Sequence, residues 1–265
     1  MKIFVTVKQV PDTSGKVAVN PDGTLDRASM QTIINPDDLN AAEAALVLKD
    51  QLGCKVIAVT MGPPPAEGML RELMAMGVDE GVLVTAREFG GSDTYATSQI
   101  LAAAIDTYGV EEDDIILAGR QAIDGDTAQV GPQVAEYLDY PQVTFGWEVW
   151  PTEDGAGVRV KKELEDGYEI LEMACPCAVT ITKPDYEPRF PTIKSKMAAN
   201  KAVIPVLSAA DVNLDVEQSG LKGSPTKVKK SFTPPRKEGG LKIKEETPEE
   251  SAKKLYDLLK DKGII

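Results

Sequence analysis

The chain has no histidine among its 265 residues. That absence removes the base of a Ser-His-Asp or Cys-His site and any histidine-ligated metal supplied by this chain alone. Cysteine is scarce too: Cys54, Cys175 and Cys177 form no CxxC pair. An odd count argues against a disulfide framework, and the "CPC" at 175 to 177 reads as ordinary residues at a strand end. Any redox work must therefore reside on a bound group. Basic charge is in deficit, with 29 Lys plus Arg against 42 Asp plus Glu and a formal charge of −13. This argues against nucleic acid or an anionic membrane as the main partner, and in favour of proteins and small ligands. No stretch approaches the roughly 20 apolar residues of a bilayer span. The opening "MKIFVTVKQVPDT" lacks the basic region and cleavage site of a signal peptide. No membrane insertion and a cytoplasmic location are the expectations. Two nucleotide signatures, GxGxxG and GxxxxGK[ST], are missing as well.

What is present is a repeating plan. Four apolar runs, "KIFVTVK" (2 to 8), "KVIAVTMG" (55 to 62), "EGVLVTA" (80 to 86) and "DIILAG" (114 to 119), are β-branched and unalternating. Such runs suit strands buried on both faces of a parallel sheet. Between them lie helical segments. "NPDDLNAAEAALVLKDQLG" has Asp37 and Asp38 near its start and Gly53 as its stop, and "GSDTYATSQILAAAIDTYG" has Ser92 or Asp93 as N-cap and Gly109 as its stop. The alternation predicts an α/β fold with a right-handed, Rossmann-like doubly wound sheet. "QVTFGWEVW", "GVRVKKELEDG" and "YEILEMACPCAVTIT" then predict an antiparallel extension. From Lys183 the chain turns proline-rich, then basic, and closes with "TPEESAKKLYDLLKDKG", a helix capped by Thr247 with Pro248 at its first position. Such a tail buries no core of its own and is either disordered or laid across another chain. The expected division is an α/β nucleotide-binding domain over 1–185 and an extended arm over 186–265.

Ligands of open parallel sheets bind beyond the carboxyl ends of the strands. Here those ends carry "VKQVPDT", "TMGPPP", "TAREFGGSDT" and "GRQAIDGDT". In "GRQAIDGDTAQVGP" (119 to 132), Gly119 would admit a ligand, Gly125 would take a positive φ, and Asp126 would cap a helix running from about Thr127 to Leu138. The amides of residues 127 to 131 would then face a pyrophosphate, with Asp124 on a ribose hydroxyl or bracing the turn and Gly131 permitting close packing. A plain strand–turn–helix connection fits the local pattern equally. In "EFGGSDTYATS", Gly90 and Gly91 ahead of Ser92, Asp93 and Thr94 suggest a second phosphate cradle, or ordinary loop chemistry before an N-cap.

These segments, with "NPDDLNAAEAAL" (35 to 46), "MGPP" (61 to 64), "AMGVDEGVLV" (75 to 84) and "PRFPTIKSKMAANKA" (188 to 202), resemble the small, β, subunit of electron-transfer flavoproteins. The resemblance covers most of the first two hundred residues. It implies the adenine nucleotide α-hydrolase-like form of the fold and a heterodimer in which the C-terminal arm embraces a larger α subunit. It also implies an adenine nucleotide held by Thr6, Val7 and Lys8, by Asn35 to Asp38, by Met61 and Gly62, and by the loop from Ala122 through Ile123, Asp124, Gly125, Asp126, Thr127, Gln129 and Val130 to Gly131, with Gly119 and Arg120 added from the local pattern, Arg120 as a partner for a flavin or a phosphate. Ile193 matches the recognition loop that anchors to a dehydrogenase; packing on the α subunit is the other reading of that residue.

Two subclasses follow from the resemblance. In one, the β-subunit nucleotide is AMP, serves structure, and electrons pass from acyl-CoA dehydrogenases to the α-subunit FAD. In the bifurcating one, found in anaerobic bacteria and archaea, the β subunit holds FAD and NADH binds beside it. One electron then goes to ferredoxin or flavodoxin and the other, through the α-subunit FAD, to an acyl-CoA, enoyl-CoA or lactate-type dehydrogenase. "EFGGSDTYATS", with Phe89 at its start, resembles the NADH-associated loop of the bifurcating group, and "GDTAQVGP" resembles its flavin-side loop. Bifurcation is the expectation, with the protein supplying geometry rather than catalytic side chains. A nucleotide-sensing protein without redox work is a third reading.

Overall fold

A computed structural model describes residues 1–12, 31–229 and 239–265. Thr13 of the "VKQVPDT" motif and most of the basic, proline-rich stretch after Lys229 lie outside the described residues. The chain divides into two compact units, Met1–Lys229 and Lys230–Ile265.

The first unit opens with β1 (Lys2–Thr6), β2 (Gln9–Pro11) and β3 (Thr32–Ile34). It then alternates through α1 (Pro36–Leu52), β4 (Lys55–Met61), α2 (Glu67–Met76), β5 (Glu80–Val84), α3 (Thr94–Tyr108), β6 (Ile115–Gly119) and α4 (Val130–Tyr137). There follow β7 (Gln142–Pro151), β8 (Gly157–Leu164), β9 (Gly167–Ala174), β10 (Cys177–Ile181), α5 (Ile193–Ala199), β11 (Val206–Leu207) and the single turn α6 (Gly220–Gly223). The main sheet has nine strands in the order β11-β5-β4-β1-β6-β10-β7-β8-β9. Its β5-β4-β1-β6 centre is parallel, the order of a doubly wound α/β sheet.

The two-faced burial read from the apolar runs is visible in β1. Ile3 and Val5 join the core beneath α1 and α2, with Leu46, Leu48, Leu70 and Leu73. Phe4, pointing the other way, joins Ile100, Ile105 and Val134 of α3 and α4. Gly53 closes α1 in the left-handed region, and Asp93 caps α3 by accepting from the Ala96 amide.

The antiparallel extension is smaller than expected. β8 pairs antiparallel with β7 and with β9, but "YEILEMACPCAVTIT" does not form one strand of it. The segment breaks after Ala174, and Cys177–Ile181 slots between β6 and β7, parallel to both. All five residues of β10 are buried, the pattern of a central parallel strand rather than a half-exposed one.

The segment after Lys183 also departs from expectation, because it packs on the α/β body through scattered residues. Ile204 and Val212 are buried, β11 adds an edge strand to β5, and Arg71 donates to the Ala199 and Ala202 carbonyls at 2.6 and 3.0 Å. Arg189 is held by the buried Glu43 at 2.9 Å and by Asp50 at 2.9 Å. Single anchors of this kind leave no periodicity to read.

In the second unit, Thr247 and Glu250 form a capping box and Pro248 opens α7 (Pro248–Asp261), as the sequence predicts. None of its residues is buried, and Leu255 and Tyr256 are exposed.

Candidate functional site: a strand-end cleft

A cleft of about 640 Å³ opens at the carboxyl ends of β1, β4 and β6. Its volume is within the range of small-molecule and cofactor sites. Thr6, Val7 and Lys8 line it from β1, Asp38 from α1, Met61 from β4 and Gly119 from β6. Arg120, Ala122, Gly125, Thr127, Gln129, Val130 and Gly131 complete that wall. Ser92, Asp93 and Thr94 line the cleft from the start of α3.

The remaining expected residues do not line the cleft. Asn35 is fully buried, donates from Nδ2 to the Gln121 carbonyl at 2.7 Å and accepts from the Ile123 amide at 3.1 Å. It therefore braces the loop, and Ile123 reaches it through backbone. Asp124 pairs with Lys8 at 2.7 Å, the bracing alternative of the two read for it. The Gly62 amide donates to the Val84 carbonyl at 3.1 Å. Phe89 is buried in the core, and Gly90 and Gly91 lie beside it, outside the cleft lining. Ile193 lies at the start of α5, outside the cleft lining, and is 83% exposed.

Three details of the loop differ from the sequence reading. Asp126 is not a helix cap: α4 begins at Val130 behind Gln129, which makes no side-chain cap, and the Asp126 carboxylate accepts from Gln121 Nε2 at 3.0 Å. Asp126 and Ala128 take positive φ of 50° and 52°, whereas Gly125 does not. The two left-handed residues turn the chain before the helix can start. Gly119 is required by α1 whatever the cleft binds, since a Cβ there would lie 2.4 Å from Asp38 Oδ1 and 2.5 Å from its backbone nitrogen. Gly131 does permit close packing, a Cβ falling 2.6 Å from the Thr180 methyl. Among the described residues, the amides of Thr127 to Gly131 take no acceptor within the chain. They are the orphan donors of a helix start and stand at the cleft.

This geometry can be set beside known proteins. Residues 22–212 match the model of the electron transfer flavoprotein domain. The chain belongs to that family. It is 55% identical over 270 residues to the acryloyl-CoA reductase electron transfer subunit gamma of Anaerotignum propionicum, covering 100% of both chains. It is 48% identical to the caffeyl-CoA reductase-Etf complex subunit CarD of Acetobacterium woodii, again over 100% of both. It is 49% identical to the electron transfer flavoprotein subunit beta of Megasphaera elsdenii, covering 95% of this chain and 94% of that one. The chain is thus a β-type subunit of electron transfer flavoproteins.

In this β-type subunit each lysine or arginine that lines the cleft stands beside a carboxylate. Lys8 faces Asp124, and Arg120 Nε stands 3.4 Å from Asp37 Oδ2. Burial pushes the Asp37 carboxyl up, and Arg120 opposes that shift. Asp38 is buried and accepts from the Lys8 amide at 2.8 Å and the Gly119 amide at 3.2 Å, tying the ends of β1 and β6 together. Burial outweighs these bonds and pushes its carboxyl up to about 7. Burial also acts on Asp93, but hydrogen bonds from Thr226 and the Ala96 amide hold its carboxyl below the usual range. Thr94 Oγ1 donates to Gln129 Oε1 at 2.8 Å, joining the starts of α3 and α4.

Several lining residues carry no mark in the sequence. Thr97 and Leu101 follow Thr94 on one face of α3, so helical spacing could have found them. Gln121 sits inside the motif, where its residue type alone gives it no distinct role. Thr226 and Val228 reach the cleft from a stretch that reads as tail, and no local pattern marks them. No group of His, Cys, Asp and Glu among the described residues could hold a metal ion, and no described helix is long and apolar enough to cross a membrane.

Proposed function

We propose that the chain is the β subunit of a heterodimeric electron-transfer flavoprotein of the bifurcating type, with FAD in the strand-end cleft and NADH beside it. The observation that carries this reading is the cleft's second wall. Besides the strand-end loops, Ser92, Asp93 and Thr94 line the same space, so there is room and polar lining beyond the phosphate-facing amides of residues 127 to 131. The donor set fits a nucleotide. Lys8 is bonded to Asp124, while Arg120 stands beside Asp37 with its Nε making no hydrogen bond among the described residues, so the unpaired amides and the helix dipole would carry phosphate recognition with Arg120 at their side.

In this reading Thr6, Val7, Met61 and the 119–131 loop bind the nucleotide, Asn35 and Asp38 hold the loop and strand ends in place, and Arg120 faces the flavin or a phosphate. When bound, FAD supplies the exchange between two-electron and one-electron chemistry. The chain's residues orient the nucleotides and exclude water. Residues 186–265 carry the contacts with an α subunit, with Ile193 available to a dehydrogenase of the acyl-CoA, enoyl-CoA or lactate type. One electron of the NADH pair goes to ferredoxin or flavodoxin and the other to that dehydrogenase, and the complex works in the cytoplasm. An AMP-holding, non-bifurcating subunit is the second reading, favoured by the amides of 127 to 131, which would hold a single phosphate equally well.

Denaturing the purified complex and counting nucleotides separates the two. Two FAD per heterodimer supports bifurcation; one FAD with one AMP sinks it. Isolation of the chain without any α partner would instead favour a nucleotide sensor.

A further inference from the structure

We propose that the strap Ser224–Val228 is a wall of the nucleotide site, held by Asp93 and presenting Val228 to a planar ring of the bound nucleotide. The inference rests on the reading that the cleft binds nucleotide, and adds residues from a segment to which that reading gives only contacts with an α subunit.

Asp93 grips the strap on both of its polar ends. Its Oδ2 accepts from the Thr226 amide at 2.9 Å and from Thr226 Oγ1 at 2.7 Å, while its own amide donates to Ser224 Oγ at 2.8 Å. The chain leading into the strap is fixed just as closely. The Gly220 amide donates to Ser92 Oγ at 3.1 Å, and a Cβ on Gly220 would lie 2.0 Å from the Glu88 carbonyl oxygen. Beyond this anchor the residues alternate: Thr226 and Val228 line the cleft and Lys227 does not, as in extended backbone. Val228 is 86% exposed although it lines a cleft that Met61 and Leu101 also line. A β-branched apolar side chain left open at the wall of a cleft that other apolar residues also line fits the flat face of a flavin or adenine ring better than its phosphates. Asp93 has its Oδ2 filled by Thr226, so its part is to position the strap rather than to touch the ligand.

The test uses the co-purified heterodimer, stripped of nucleotide and titrated with FAD or AMP as probes. Val228→Asp is expected to weaken binding of the probe about tenfold, the size of one lost apolar contact. Thr226→Val is expected to weaken it less and to leave the circular dichroism spectrum unchanged. The exposed Lys227 and Lys229 supply an independent readout: bound probe should slow tryptic cleavage after them in the wild type, and much less in Val228→Asp. If the wild type binds probe but neither its cleavage rate nor the affinity of Val228→Asp changes, the inference falls and the nucleotide site stands. A wild-type complex that releases no nucleotide on denaturation and binds neither probe overturns the site, and the inference with it.

Discussion

The two walls of the cleft are built on different terms. The strand-end wall is held from inside: Asn35 and Asp38 are buried, Asn35 bracing the loop at Gln121 and Ile123 and Asp38 tying the ends of β1 and β6 together. The wall at the start of α3 is held from outside, through bonds of Asp93 to Thr226 at the protein surface. Buried bonds without water to replace them are expensive to lose, while exposed ones exchange with solvent at little cost. The difference makes one wall a fixed part of the fold and the other an adjustable one.

Substitutions can test that difference. Gly119→Ala should be the most damaging, because the added carbon meets the backbone of α1 as well as the buried Asp38 carboxylate. A loss of about 3 kcal/mol or more is expected, read by denaturant unfolding of the complex. Asp38→Asn comes next. Both carboxylate oxygens accept amides, so an NH₂ group must face one donor, at a cost of about 1–3 kcal/mol at neutral pH. This variant also tests the pH dependence. The folded carboxyl titrates at about 7 against a usual 3.8, so its contribution to stability is fully present below about pH 4 and is lost as pH rises through about 7. The wild type minus Asp38→Asn stability difference should therefore shrink between those limits. A flat difference would show that the two amides govern the carboxyl and burial does not.

Thr226→Val should move global stability by no more than about 0.5 kcal/mol, as a surface change does. A loss as large as that of Asp38→Asn would erase the contrast between the walls. Smallest of all, Asp126→Gly should keep stability within about 0.5 kcal/mol, since glycine takes the positive φ of 50° without strain while the bond to Gln121 is lost.

The same contrast separates what was legible in the sequence from what was not. β1, β4, β5 and β6 were readable because burial on both faces leaves unbroken β-branched runs, and Gly53, Asp93, Thr247 and Pro248 were readable because helix ends need particular chemistry. The strand-end wall was accordingly in view from its motifs. Its internal roles were not: Asp126 has the composition of an N-cap, but two left-handed residues delay the helix to Val130, and Asn35 looks like a ligand until its two backbone partners are seen. The strap was invisible. Thr226 meets Asp93 across 133 positions, and an extended segment pinned by single residues has neither the period of a helix nor that of a buried strand. β10 was misplaced for a related reason, since its five buried residues state its surroundings but not its neighbours.

The position of β10 bears on how the chain assembles. It lies between β6 and β7, yet it is made after β8 and β9. Until residue 181 has emerged from the ribosome, the inner edge of β6, an entirely apolar strand, has no partner and β7 cannot join the sheet. The nascent chain thus passes through a stage with an open hydrophobic edge, the kind that pairs with other chains, and closing it depends on contacts distant in sequence, which form slowly.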